Sequence, residues 1–175
     1  MNKKNLLLGM LIIGTIIIAC DNGTETDKNI SALNGTWCQE YDEEFDTGER
    51  SYLKLNNGKY ETYSTIHEVM NPGGGKGIYN LENNVFTMKA THYYIENEDS
   101  LFEDYTIAKD RWYSENELLN AIGLSNNDFQ EEFGWIFEPF VYSYVVNEPD
   151  LIFTLMDFPT GYPFLPRDEI SFTKL

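Results

Sequence analysis

From Leu33 onward, apolar residues recur at every second position through most of the chain, the period of a half-buried strand. Residues 36–41 read as a first strand. Residues 51–55 place Leu53 and Leu55 on one face, and Asn56-Asn57-Gly58 marks a tight turn, because Asn and Gly tolerate positive φ. Residues 59–66 return, with Tyr60, Thr62, Ser64 and Ile66 opposite Glu61, Tyr63 and Thr65. Asn71-Pro72-Gly73-Gly74-Gly75 reads as a flexible loop. A second hairpin joins 77–81 to 85–94, and in its second arm Phe86, Met88, Ala90 and His92 share a face. Near the C-terminus Phe140, Tyr142, Tyr144 and Val146 alternate with Val141, Ser143 and Val145. Residues 151–155 form the return arm and 169–175 the closing strand, with Pro159, Pro163 and Pro166 in a loop between them.

The middle follows another rule. Glu117 stands three residues after Ser114, the spacing of a capping box. Leu118, Leu119 and Ile122 then form a helical stripe that Gly123 stops, and a second short helix is expected over 125–133. The expectation is a mainly β domain of about eight strands in an antiparallel meander, with a helical insertion over about 114–133. A meander of this size closes on itself because closure removes its edges, and an eight-stranded barrel holds either packed side chains or one small ligand.

The first 20 residues stand apart. Lys3 and Lys4 precede an uncharged apolar run over 6–18, too short for a comfortable membrane span. The run ends Ile17-Ile18-Ala19-Cys20. This resembles the lipobox of bacterial lipoproteins. The resemblance implies that 1–19 is a signal peptide and that Cys20 is lipidated and becomes the N-terminus. Several acyl chains on one residue give stable attachment. The competing reading is an uncleaved anchor with an incidental Cys20. Residues 20–32 would then be the lipidated cysteine and a polar tether, and 33–175 the folded domain. The expected location is the cell envelope, on a membrane facing the periplasm or the exterior, with the outer membrane favoured. Asp21 is similar to an inner-membrane retention signal of some diderm bacteria, so the choice of membrane stays open.

Composition narrows the partners. The chain has 175 residues, 29 acidic against 12 basic, and a formal charge of −17. Such a polyanion repels phosphate backbones, which argues against nucleic acid. Aromatic residues make up 15%, too many for a disordered acidic chain. Two cysteines cannot build a disulfide scaffold or a four-cysteine zinc site. With Cys20 acylated, Cys38 has no partner in the chain and reads as a small apolar strand residue.

Leu33-Asn34-Gly35-Thr36-Trp37 carries a second resemblance. Gly-x-Trp opening the first strand is similar to the lipocalin (calycin) signature, and the hairpin from Tyr52 to Tyr60 and the final Phe172-Thr173-Lys174 are similar to bacterial lipoproteins with a lipocalin-like domain. The resemblance implies a barrel in which Gly35 and Trp37 are structural, with Trp37 at the closed end under a cation from Lys174 or Arg167. The long segment over 97–133 departs from it.

Little catalytic chemistry is legible. Asp42, Glu43, Glu44, Asp46 and Glu49 form an acidic run without the spacing of a calcium loop. Gly73-Gly74-Gly75-Lys76-Gly77 lacks the Ser or Thr and the leading Gly of a phosphate loop. His67 and His92 belong to no metal or triad pattern, and no two carboxylates face each other across an apolar strand. No catalytic residue, metal or cofactor is therefore expected. The candidate ligand pocket is Tyr60, Tyr79, Phe86, Met88, His92, Tyr142, Tyr144 and Phe153, although the same aromatics could simply fill the barrel. The expected function is a non-catalytic, membrane-anchored lipocalin-like domain that binds a small apolar ligand or a partner. The alternative is a protein-interaction module that uses the barrel as scaffold and docks through 97–133, with Trp112, Phe129, Phe133, Trp135 and Phe137.

Overall fold

The computed structural model describes residues 30–39, 50–66, 69–97, 99–162 and 168–175. The lipobox with Cys20, most of the tether, the acidic run 42–49, His67 and Arg167 lie outside the described residues.

Nine strands form one antiparallel sheet. They are β1 (Gly35–Gln39), β2 (Arg50–Asn56), β3 (Lys59–Ile66), β4 (Val69–Glu82), β5 (Val85–Ile95), β6 (Arg111–Ser114), β7 (Pro139–Asn147), β8 (Asp150–Asp157) and β9 (Glu169–Lys174). Eight of them close a ring in the order β1-β2-β3-β4-β5-β7-β8-β9, with β9 paired back to β1. The chain is thus a closed eight-stranded antiparallel barrel, mainly β with few short helices, compatible with a lipocalin-like fold. The ninth strand, β6, lies outside the ring. β5 gives β7 its Val85–Lys89 half and gives β6 its His92–Ile95 half.

The turns explain which end is closed. Asn57-Gly58 and Asn83-Asn84 all have positive φ, the conformation that matches the twist of a two-residue hairpin. These turns, the β7–β8 turn, the start of β1 and the end of β9 collect at one end. At this end Trp37 is fully buried and its indole N–H donates to the Leu33 carbonyl at 2.9 Å. The Lys174 ammonium stands 5.2 Å from its ring centroid. Gly35 passes under that lysine with φ +149°, and a Cβ there would lie 3.2 Å from Lys174 Cε. Glycine, tryptophan and lysine therefore make one structural unit, the arrangement that the opening motif implies. Asn34 ties this entry to the first hairpin, accepting from the Asn57 N–H at 2.7 Å.

The other end carries the longer connections. Between β5 and β7 run a 3₁₀ turn (Ser100–Phe102), β6, α1 (Glu115–Ile122), α2 (Asn126–Phe133) and a second 3₁₀ turn (Gly134–Ile136). The capping box forms as expected. The Ser114 hydroxyl accepts from the Glu117 N–H, the Glu117 carboxylate accepts from the Ser114 N–H at 2.8 Å, and Gly123 ends α1 in the left-handed conformation.

Two expectations fail here. Residues 71–75 are no loop, because β4 runs straight through them. The β3–β4 register shifts between Glu61 and Tyr63, and Thr62 stitches the glycines in place. Its hydroxyl is shared by the Gly73 and Gly75 carbonyls and accepts from the Gly75 N–H at 3.0 Å. Nor does β5 keep one face from Phe86 to His92. A bulge opposite Lys76 and Gly77 inserts one residue, so Gly77 pairs with Ala90 but Lys76 pairs with His92. Alternation flips beyond it, turning His92 outward and Ile95 inward.

Candidate functional site

The interior divides into a packed half and a hollow half. At the closed end Leu33, Trp37, Leu55, Tyr79, Leu81, Phe86, Leu151 and Phe153 belong to one buried cluster. Phe86 organises it, lying 4.7 Å from the Phe153 ring and stacked on Tyr79 at 5.0 Å. Such ring pairs stabilise by about 1 kcal/mol beyond the area they bury. Farther along, the strands diverge around a cavity of about 360 Å³. Its wall is largely apolar: Leu53, Phe86, Met88, Tyr142, Phe153, Ile170 and Phe172. Gln39, Ser51, Thr62, Ser64 and Glu96 supply the polar groups.

A second cavity of about 280 Å³ adjoins it. Tyr60, Ala90, Tyr93 and Phe140 come from the barrel, and Trp135, Ile136, Glu138 and Tyr162 come from the segments over its end. Thr62, Gly74, Met88 and Tyr142 line both cavities and so form the neck between them. Among the described residues, neither wall includes a lysine, arginine or histidine, and the charged members are Glu96 and Glu138. The Glu96 carboxylate and the Ser64 hydroxyl both approach Gly73.

Burial raises the phenols of Tyr60 and Tyr142, and Tyr142 adds to the effect on Tyr60. Burial also raises Tyr93, with Asp99 and Glu96 adding to it. These rings therefore stay neutral near pH 7 and offer hydroxyls, not charges.

The candidate pocket residues separate into groups. Phe86, Met88, Tyr142 and Phe153 line the larger cavity, and Tyr60 lines the smaller. Tyr79 is spent in the closed-end core, and Tyr144 is a partly buried ring packed edge-on to Phe86 at 6.4 Å. His92 is on the outer surface, its Nδ1 3.1 Å from the Thr91 hydroxyl, for the bulge reason given above. Sequence reading missed Leu53, Ile170 and Phe172, whose alternation was visible, and Thr62, Ser64 and Glu96, whose roles depend on the β4 register.

The aromatics of the insertion are not displayed. Phe129, Phe133, Trp135 and Phe137 are buried in a second core with Phe102, Tyr113 and Leu118. Trp112 packs on Tyr94, with the Lys76 ammonium 4.3 Å from its ring centroid. A docking surface built from these side chains would require opening that core. Cys38 is buried. Among the described residues, no group of three or more His, Cys, Asp and Glu side chains is placed to hold a metal ion. No protein-family model, curated protein or solved structure matches the chain.

Proposed function

We infer that the protein is a lipid-anchored carrier or sensor of the bacterial envelope, a lipocalin-like barrel that takes a neutral apolar molecule into its interior without transforming it. The observation that carries this reading is the cavity of about 360 Å³, walled by Phe, Leu, Ile and Met and edged by a few hydroxyls. Its volume falls at the lower end of ordinary ligand pockets, and apolar walls with few polar handles are what such pockets have. The lack of lining cations among the described residues supports a neutral ligand. Among the described residues the wall offers a carboxylate no basic side chain to offset its lost hydration. Anchoring rests on the sequence from Lys3 to Cys20, and the non-catalytic reading on the lack of a legible nucleophile–base or paired-carboxylate arrangement.

A neutral solvatochromic dye titrated into the full-length protein tests the cavity. The dye should bind, Met88→Trp should block the neck and weaken binding about tenfold or more, and a long-chain alcohol should displace the dye better than the carboxylate of equal length. An undiminished affinity in Met88→Trp would place the dye elsewhere. Cys20→Ala tests the anchor separately. It should move the protein from the membrane fraction to the soluble one, and retention in the membrane would refute lipidation as the attachment.

A further inference from the structure

The outer face of β2–β5 contradicts the charge of the chain that carries it. Cross-strand register places Lys54, Glu61, Lys76 and His92 in one row, and Asn56, Lys59, Ile78 and Lys89 in the next. Alternation puts both rows on the outside. Four of the chain's 12 basic residues thus share one patch of a molecule with formal charge −17. Among the described residues, no carboxylate lies within ion-pair distance of these four lysines. With 29 acidic side chains in the sequence, ordinary surface pairing would be easy to find. Even Glu61, in register with both Lys54 and Lys76, makes no ion pair with either among the described residues.

The patch is also shaped. A groove of about 390 Å³ runs between these side chains, lined by Lys54, Lys59, Lys76, His92, Asn56 and Thr91 and also by the Glu61 carboxylate, so its described charged side chains are three lysines against one acid. Two local devices fix its far wall. The bulge at Gly77 turns His92 out of the barrel, where the Thr91 hydroxyl holds its ring. The Trp112 ring holds the Lys76 ammonium beside it. Adjacent strands are about 5 Å apart, so Lys54 and Lys76 flank Glu61 at about 10 Å from each other, with Lys59 one row away, a span that long lysine stems can close around one small anion. Besides Glu61, Glu117 is an acidic group near the β5 side, its carboxyl lowered chiefly by hydrogen bonds from Ser114 and further by Arg111 and His92.

We propose that this groove binds a phosphate-bearing ligand, held by Lys54, Lys59 and Lys76 with His92 and Asn56 as further donors. The site is separate from the barrel cavity and independent of what that cavity holds. The ligand is compact. Within about 8 Å, a Debye length at physiological salt, the lysines dominate the field, while farther out the net negative charge repels an extended polyanion. Ile78, 54% exposed in the groove, adds an apolar contact for the body that carries the phosphate.

The test is amide chemical-shift mapping of the full-length protein in nonionic micelles. Two probes separate the sources of the phosphate: glucose 6-phosphate, free in solution, and phosphatidic acid mixed into the micelle. Shifts at residues 54, 59, 76 and 92 with the first assign a soluble phosphate, and shifts there with the second alone assign a lipid headgroup. Glucose, which lacks the phosphate, should cause none. Lys54→Gln/Lys76→Gln should weaken binding by roughly tenfold per lysine, as loss of charge-assisted hydrogen bonds requires, and Lys54→Arg/Lys76→Arg should largely retain it. Absence of these shifts with both probes, or equal binding by the glutamine variant with an unchanged melting temperature, overturns the proposal.

Discussion

Trp37 shows how much one side chain can be asked to do. It fills the closed end, satisfies its own N–H on Leu33, and supports the Lys174 ammonium, which also meets Glu148 at 3.3 Å. Trp37→Ala leaves a large void and an unpaired Leu33 carbonyl, and should cost about 3–5 kcal/mol in urea unfolding. Lys174→Met keeps the packing stem but loses the cation, and should cost only about 0.5–1 kcal/mol because the pair is partly in water. Gly77 is the opposite case, a residue whose value is what it lacks. A Cβ there would collide with the Lys89 carbonyl and the Ala90 Cα. Gly77→Ala should destabilise by about 3 kcal/mol, at the upper end of overpacking costs, and should perturb the amides of Ala90–His92 most. A melting temperature like that of the natural protein would show that the bulge relaxes freely.

At the scale of elements, α1 rests on local chemistry as well as on burial. Leu118 is buried and Leu119 and Ile122 pack beside it, but half of the helix is exposed and it spans only eight residues, so its capping box carries much of its order. Ser114→Ala should cost about 1 kcal/mol and increase amide exchange in the first turn; unchanged exchange would deny the box that role. The same elements mark what the sequence could reveal. The eight barrel strands were legible, β4 in its second half only, because period-two alternation and Asn-rich turns are local signals. The capping box was legible for the same reason. β6 was not, since its four residues are too short to display a period and pair only with the far half of β5. The strand through Pro72-Gly73-Gly74-Gly75 was hidden because its order comes from Thr62, across the sheet. His92 was misplaced because one bulge reverses every later side chain, and that bulge depends on a contact between Gly77 and Lys89. Half of the candidate pocket was therefore readable, and its polar edge was not.

For the whole molecule, a packed base and a hollow upper half make distinct predictions. The phenols of Tyr60, Tyr93 and Tyr142 are raised chiefly by burial above the ordinary value of 10.0. A raised acid pKa means that the folded state resists losing that proton, so the stability these groups support is full below the unfolded value and lost as pH rises past it. Urea midpoints should hold up to about pH 9 and fall from about pH 10, with a fraction of the 12 tyrosines ionising only as the fold opens. Uniform titration of all tyrosines near pH 10 with the near-ultraviolet dichroism intact would deny their burial. We propose that the hollow half takes up a neutral apolar molecule. The most direct measurement of this is native mass spectrometry of the full-length protein purified from its own cells, beside Met88→Trp prepared identically. The natural protein should carry one neutral apolar molecule per chain, extractable into organic solvent, and the variant should carry none while keeping the same β-sheet dichroism. Equal bound mass on both proteins, or a natural protein that arrives empty and takes up no neutral apolar probe, would contradict it.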